Sequence, residues 1–498
     1  MTSQHLIVLS LMGPALGGLL GFALRTRPTL AFASSLVAAL TGLGAAFALV
    51  AATAQGQVHA LHAGDWPSPY GIVLVVDGFS ALMLAVCQLV VVASIIFAHR
   101  TLSARYRRRH LYALISTLSL GTSGAFLTGD LFNLYVWFEV LLLSSFSLMA
   151  MIGGREARDG TWRYVVINLV SSLLFLIGAG LIYGKTGTLN FADLHLKFQD
   201  AESSFLIDSS AALLFGAFGI KAALIPLAFW LPASYPNVPT ALSALFAGLL
   251  TKVGLYAFYR VFGMVFVIDG SFPHQNILFG LAILTMVGGV LGAVAQGDMR
   301  RILSFHIISQ VGYMALALAL FTPLAIAAGI FYLVHHIVVK ANLFLVTGLV
   351  ESHAGTSKLN ELSGVARSSA LIASLFAIPA LSLAGLPPLS GFFAKFALLR
   401  ASLDVANWLA AAAIILVGLC TIFSMLKIWR YAFWGQASPH SEQFPRPLAS
   451  LALTSGTLGA VTIALGLACG PAFGLAEQAA ASLLDPSAYL EAVLGTQP

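Results

Sequence analysis

Charge is what this sequence has least of. Aspartate, glutamate, lysine and arginine make up 9% of its 498 residues, against 59% hydrophobic ones. A soluble domain carries about 25% charged residues, so this chain cannot cover a water-facing surface. With a mean hydropathy of +0.92, its solvent is mostly lipid. Cysteine is almost as scarce. Cys87, Cys420 and Cys469 lie far apart in apolar stretches, without CxxC or Cys/His ligand spacing, which argues against iron–sulfur and zinc sites. The chain also lacks a phosphate-binding glycine loop, a nucleophile elbow and a metalloprotease motif. Neither a cofactor nor a metal is expected, and the reading is of a transporter part rather than an enzyme. No low-complexity stretch or hydrophilic domain interrupts the chain, so residues 1–498 read as a single transmembrane domain. The first apolar run precedes its arginines instead of following them, the pattern of a retained span and not of a cleaved signal peptide.

What is present is a series of long apolar runs. A spanning helix needs about 20 largely apolar residues, and runs of that kind fall near 5–24, 29–54, 76–98, 110–128, 131–153, 163–184 and 208–231. Further runs fall near 240–262, 275–296, 301–321, 325–350, 369–399, 407–433 and 448–475. The expected fold is therefore an all-α membrane protein of about fourteen transmembrane helices. Loop charge tests that count. With the N-terminus outside, the cytoplasmic loops hold Arg25, Arg27, Arg100, Arg105, Arg107, Arg108, Arg109, Arg155, Arg158 and Arg163, then Arg300, Arg301, Lys358, Arg367, Arg430 and Arg446. The opposite loops hold Lys185, Lys197, Arg260 and Arg400. Sixteen against four follows the positive-inside rule, which accounts for the formal net charge of +6 without a nucleic-acid partner. Both termini are expected outside. The longest exterior connections are 55–75, with Trp66, Pro67 and Tyr70, and 185–207, a loop or short interfacial helix containing Asp193, Lys197 and Asp200.

Two spans carry prolines that should break them. Pro226 and Pro232 follow Gly219-Ile-Lys221 in span 7, and Pro387-Pro388 lies between Gly385 and Gly391 in span 12. Proline removes an amide donor and clashes with the preceding turn. Irregular backbone at membrane depth is tolerated where protein or water satisfies it. Breaks five spans apart suggest two inverted five-helix repeats, spans 4–8 and 9–13, as in many transporters. The chain then divides into an N-terminal three-helix part (1–109), a first repeat (110–262), a second repeat (275–433) and a C-terminal helix (434–498).

The few ionisable residues inside the spans carry the chemistry. Each charge at depth costs about 2.5–3.5 kcal/mol on insertion scales, and such residues usually serve function. Glu139, Lys221 and Lys252 lie well inside spans 5, 7 and 8, and His335, His336 and Lys340 are central in span 11. Lys395 follows the second break, nearer the exterior. Snorkelling or a structural ion pair explains any one of them. One acid among many bases, however, cannot neutralise the set. Desolvation favours the neutral form of a lysine kept from water, which then exchanges protons near neutrality. His336 and Lys340, four residues apart on one helix face, have relay spacing. His306 either feeds protons inward or merely hydrogen-bonds a neighbour. Lys427 is close enough to the cytoplasmic loop to snorkel, and Asp298 reads as a surface pair with Arg300 and Arg301. Adjacent histidines point about 100° apart, which argues against haem ligation by His335 and His336.

Five stretches together resemble the antiporter-like subunits shared by Mrp-type cation/proton antiporters and respiratory complex I. They are Gly129-Asp-Leu-Phe-Asn-Leu-Tyr-Val-Trp-Phe-Glu139, Lys221 before its proline break, and Met299-Arg-Arg-Ile-Leu-Ser-Phe-His-Ile-Ile-Ser-Gln-Val-Gly312. The others are His335-His336 with Lys340, and Leu386-Pro-Pro-Leu-Ser-Gly-Phe-Phe-Ala-Lys395. Within that group the chain is most similar to the D subunits of Mrp antiporters. Lysine at 395 favours this, since the complex I relative of similar length tends to carry glutamate there. The resemblance implies fourteen helices with inverted repeats and a proton path through Glu139, Lys221, Lys252 and Lys395, with His336 and Lys340 linking the halves. His306 departs from a serine common among relatives. Implied partners are the other subunits of a hetero-oligomeric complex in a bacterial-type inner membrane, with protons and sodium as cargo.

In the mechanism this suggests, Glu139 and Lys221 form an interacting pair with coupled titrations. Lys252, His336 and Lys340 pass the proton laterally to Lys395, and His335 and His306 are further candidate relay groups. The main rival is a pump component of a complex I-like or hydrogenase complex, driven by redox chemistry in a partner. A metabolite carrier would need a clustered solute site, and a membrane enzyme would need a catalytic motif. Carboxylates at depth are too few to form a sodium site.

Overall fold

The computed structural model of the chain describes residues 2–199, 205–436 and 448–495. Helices dominate it: α1 (Ser3–Ala23), α2 (Pro28–Thr53), α3 (Gly78–Thr101), α4 (Ala104–Arg107), α5 (Leu111–Leu127), α6 (Leu131–Ala150) and α7 (Arg155–Thr186). After them come α8 (Phe191–Gln199), α9 (Phe205–Ala222), α10 (Trp230–Ser234), α11 (Thr240–Arg260), α12 (Gln275–Ala295), α13 (Met299–Leu320) and α14 (Pro323–Ala354). The last are α15 (Val365–Ser368), α16 (Ala370–Ala384), α17 (Ser390–Asp404), α18 (Trp408–Ile428), α19 (Leu448–Leu467), α20 (Cys469–Leu484) and α21 (Ser487–Leu494).

All fourteen predicted runs coincide with helices. Among the described residues eleven helices are long and apolar enough to cross a bilayer, or up to twelve with one bent pair. The predicted fourteen also include α5 and α16, of 17 and 15 residues, which at about 1.5 Å per residue fall short of a bilayer's apolar thickness of about 30 Å. Length and apolarity together make this a multi-pass membrane protein. The final run differs most from expectation, because the chain turns by 82° between α19 and α20 where a single span was predicted. The 55–75 connection holds a small antiparallel hairpin, β1 (His59–His62) with β2 (Val73–Val76), in the register His59 to Val76. The 185–207 connection contains α8. Asp200 and Arg446, assigned by sequence to opposite loops, lie outside the described residues.

Burial shows which helices sit at the centre. The apolar windows of α11, α13 and α14 are 100%, 94% and 94% buried, against 33% and 39% for α1 and α2, which face outward. Carboxylates near helix ends supply caps, as short polar side chains do for the first free amides. Asp77 accepts from the Ser80 amide at 2.9 Å, Asp130 from Asn133 at 2.7 Å, and Asp298 from Arg301 at 3.1 Å. Asp298 also accepts from the Ser357 hydroxyl at 2.6 Å, so it caps α13 and is not the surface ion pair anticipated. Arg300 pairs instead with Glu351. Arg260 is likewise corrected: expected in an exterior loop, it is 2% exposed at the end of α11 and paired with Asp77. The two ends of the molecule are thus distinct, one bearing the hairpin and α8, the other the arginine-rich connections.

Candidate functional site

Both proline breaks leave carbonyls and amides that no helix satisfies, and polar side chains take them up. At the first, α9 ends one residue after Lys221, and Ala223 takes a positive φ of 64°. The Ile225 amide donates to Thr285 Oγ1 at 3.0 Å, and Trp230 Nε1 donates to the Ile220 carbonyl at 3.1 Å. Gly254 lets α11 approach this break, since a Cβ there would stand 2.6 Å from the Ala222 nitrogen. At the second, Gly385 takes φ +89°. Lys395 Nζ donates to the Leu383 and Ala384 carbonyls at 2.8 and 3.2 Å, placing a cation at the C-terminal end of α16, where the helix dipole favours one. Each break therefore holds one lysine of the predicted row.

Lys221 is buried, with Nζ 4.8 Å from the centre of the Phe138 ring. It reaches Glu139 through a third residue: the Ser172 hydroxyl donates to Glu139 Oε1 and accepts from Lys221 Nζ at 3.5 Å. Glu139 itself is half-buried, on a flank of α6 where Val136 and Leu143 are exposed. A cavity of about 10 Å³ beside Lys221, bounded by Tyr164, Asn168, Trp230 and Leu250, is near the lower limit for a single water.

Beyond Leu250 the basic groups form a second assembly. Lys252, fully buried, donates to the Ala247 carbonyl at 2.5 Å and to Thr251 Oγ1 at 3.2 Å. Lys340, also fully buried, donates to the Leu303 carbonyl at 3.1 Å and lies within electrostatic reach of Lys252 and Lys395. His336 lies within electrostatic reach of Lys252, Lys340, His335 and His306, yet neither of its buried ring nitrogens has a hydrogen-bond partner among the described residues. His335 Nδ1 meets Ser390 Oγ at 2.8 Å, and Ser390 meets Ser382 at 3.2 Å, joining α14 to the second break. His306 Nε2 meets Ser424 Oγ at 2.9 Å, so the neighbour anticipated for it exists, while its Nδ1 is buried without a partner among the described residues. Lys395 lies 5.4 Å from the Tyr313 ring centre. Lys427 donates to the Val294 and Gln296 carbonyls at 2.9 and 2.7 Å, apart from the row.

The eight predicted site residues therefore fall into two sets: Glu139 with Lys221, joined through Ser172, and Lys252, Lys340 and Lys395 with His306, His335 and His336. Sequence reasoning missed Ser172, Ser390 and Ser424, whose only sequence signal is a hydroxyl in an apolar helix, and the Asp77–Arg260 pair. Among the described residues no group of three or more His, Cys, Asp or Glu side chains is placed to hold a metal ion.

A helical membrane fold with two broken helices and a set of lysines and histidines buried inside it fits the class of ion-translocating membrane subunits. The family described as NADH:quinone oxidoreductase/Mrp antiporter, transmembrane, matches residues 128–421, and the chain belongs to that family. It is 46% identical over 440 residues to the D subunit of the Na⁺/H⁺ antiporter of Alkalihalophilus pseudofirmus, covering 88% of this chain and 89% of that one. It is 36% identical over 491 residues to the D subunit of the Bacillus subtilis Na⁺/H⁺ antiporter, covering 99% of each. Among solved structures it superposes on a chain of the Mrp complex of a Dietzia species with a TM-score of 0.92 at 36% identity, covering 99% of this chain and 100% of that one. A chain of an archaeal membrane-bound sulfane sulfur reductase matches with a TM-score of 0.91 at 26% identity, over 98% and 99%.

Proposed function

We propose that this chain is the proton-translocating subunit of a multisubunit Na⁺/H⁺ antiporter. The observation that carries the reading is the set of ionisable groups inside the fold: a half-buried acid joined through a hydroxyl to one buried lysine, and beyond Leu250 three more buried lysines with three buried histidines. Glu139 tunes Lys221, with Ser172 between them. Lys252, His336 and Lys340 carry the proton laterally, and Lys395 releases it toward the hairpin end. His335 and His306 support the relay. Relatives of the D type along nearly the whole length favour an assembly of several different subunits. Carboxylates at depth are few, so the sodium ion crosses in a partner subunit or at a shared interface.

The same reading arranges the chain as an N-terminal part (1–109), two inverted repeats (110–262 and 275–433) around the two breaks, and a C-terminal part (434–498). It places the chain in a bacterial-type cell membrane with both termini outside, on the strength of the loop arginines. The likeness to the sulfane sulfur reductase chain supports one second reading, a proton pump powered by redox chemistry in a neighbour.

Lys221→Ala decides the main point. In vesicles carrying the assembled complex, Na⁺-driven proton exchange should be lost while the subunits still copurify. Exchange at the wild-type rate would end the scheme. Identifying the copurified subunits separates antiporter from redox partner.

A further inference from the structure

A row that exchanges protons has to meet water at each end of the molecule, and an arginine–carboxylate pair holds each end of α11. At the hairpin end Arg260 grips Asp77 in a two-pronged pair, Nη1 to Oδ2 at 2.7 Å and Nη2 to Oδ1 at 2.9 Å, with both side chains 2% exposed. Arg260 also donates from Nη2 and Nε to the Tyr256 hydroxyl at 3.1 and 3.3 Å, and that hydroxyl donates to the Phe126 carbonyl at 2.7 Å. Phe79, Tyr256 and Tyr489 surround the guanidinium, with ring centres at 5.7, 5.4 and 5.4 Å. Lys252, Tyr256 and Arg260 recur every fourth residue and so form one stripe of α11. The pair closes that stripe about 12 Å beyond Lys252, at about 1.5 Å per residue.

The other end is built differently. Arg300 pairs with Glu351 and donates to the Pro236 and Val238 carbonyls at 3.1 and 3.0 Å, in the segment that leads into α11. These two side chains are 21% and 19% exposed. They line a cavity of about 320 Å³ with Thr101, Leu102, Thr240 and Gly348. One end of the α11 seam thus opens into a polar cavity, whereas the other is shut by a buried, ring-caged ion pair.

We infer that the Asp77–Arg260 pair is the seal that separates the Lys252 column from water at the hairpin end, so that release at that end is left to Lys395. A fixed guanidinium bars cations and protons by its charge as well as its bulk. Asp77 and Arg260 are positioning residues, holding α3 against α11, and carry no proton themselves. This rests on the proposed proton-translocating role of the row.

The test is proton leak through the complete complex in proteoliposomes, driven by a pH gradient with no exchangeable cation present. Asp77→Asn should raise leak per assembled complex at least fivefold. So should Asp77→Asn combined with Arg260→Gln, which leaves no lone buried charge. Adding Lys252→Ala to either background should return leak to the wild-type level, a dependence that a purely structural pair would not produce. Wild-type leak in an assembled pair variant, or a leak that survives Lys252→Ala, overturns the seal. Failure of both pair variants to assemble also overturns it, by making the pair a folding element. Exchange measured in wild-type vesicles with Na⁺ added bears on the antiporter reading separately.

Discussion

Glu139 and Lys221 meet through a hydroxyl and not as a direct ion pair, with Ser172 donating to the carboxylate and accepting from Nζ at 3.5 Å. A direct ion pair would hold both charges in place and resist giving up a proton. A hydroxyl between them, being donor and acceptor at once, transmits the state of one group to the other.

Ser172→Ala removes that link and leaves a buried ammonium short of an acceptor. Losing one buried hydrogen bond to a charged group costs about 1–3 kcal/mol, so exchange should fall by about ten- to a hundredfold. Ser172→Thr keeps the hydroxyl and should retain most activity. Gradient-driven proton flux per assembled complex checks both. Equal rates in Ser172→Ala and wild type would show that the acid and lysine communicate without the bridge.

The neighbouring histidines should behave in opposite ways. His335 bonds to Ser390 at 2.8 Å and helps hold the start of α17, so His335→Ala should lower stability by about 1–3 kcal/mol. His336 has no hydrogen-bond partner among the described residues for either buried nitrogen. Replacing it by Ala deletes an unsatisfied polar group, and stability should change little beyond the small cavity. Exchange should nevertheless drop at least tenfold, because a proposed relay group within reach of both Lys252 and Lys340 is gone. Thermal unfolding and flux, measured on the same preparations, separate the two effects.

Much of this arrangement was legible in the sequence because lipid is an exacting solvent. Lys221, Lys252, Lys340 and the proline breaks stand out against apolar runs that exclude such residues unless something satisfies them. Ser172 did not stand out, since serine is common in membrane helices and bonds readily to its own backbone. Arg260 was misplaced for a related reason. It closes an apolar run as a loop anchor would, and its partner Asp77 is 183 positions away. The turn between α19 and α20 was hidden because apolar sequence continues through it, and the hairpin because four-residue strands leave too short an alternation to recognise.

Gly391 has a strict steric role. A Cβ there would stand 1.8 Å from the Ser382 carbonyl oxygen and 2.9 Å from His335 Cε1. Neither the end of α16 nor the centre of α14 can yield that distance. Overpacking of a well-packed interior commonly costs about 1–3 kcal/mol, occasionally more, and here the upper end is expected. Gly391→Ala should therefore sharply reduce the amount of this chain recovered in the complex. Recovery and thermal stability equal to wild type would mean that the second break rearranges freely.

Lys395 offers a separation of structure from transport. Its Nζ donates to the Leu383 and Ala384 carbonyls, so a cation at this position stabilises the end of α16 whether or not it ever releases a proton. Lys395→Met removes both properties and should impair assembly as well as exchange. Lys395→Arg keeps the donors and the charge, but a guanidinium stays protonated in proteins. That variant should assemble at close to the wild-type level while exchange falls by a hundredfold or more. Flux in the arginine variant within about threefold of wild type would show that Lys395 acts as a fixed charge, and the release step would then belong to another group on the hairpin side of the row.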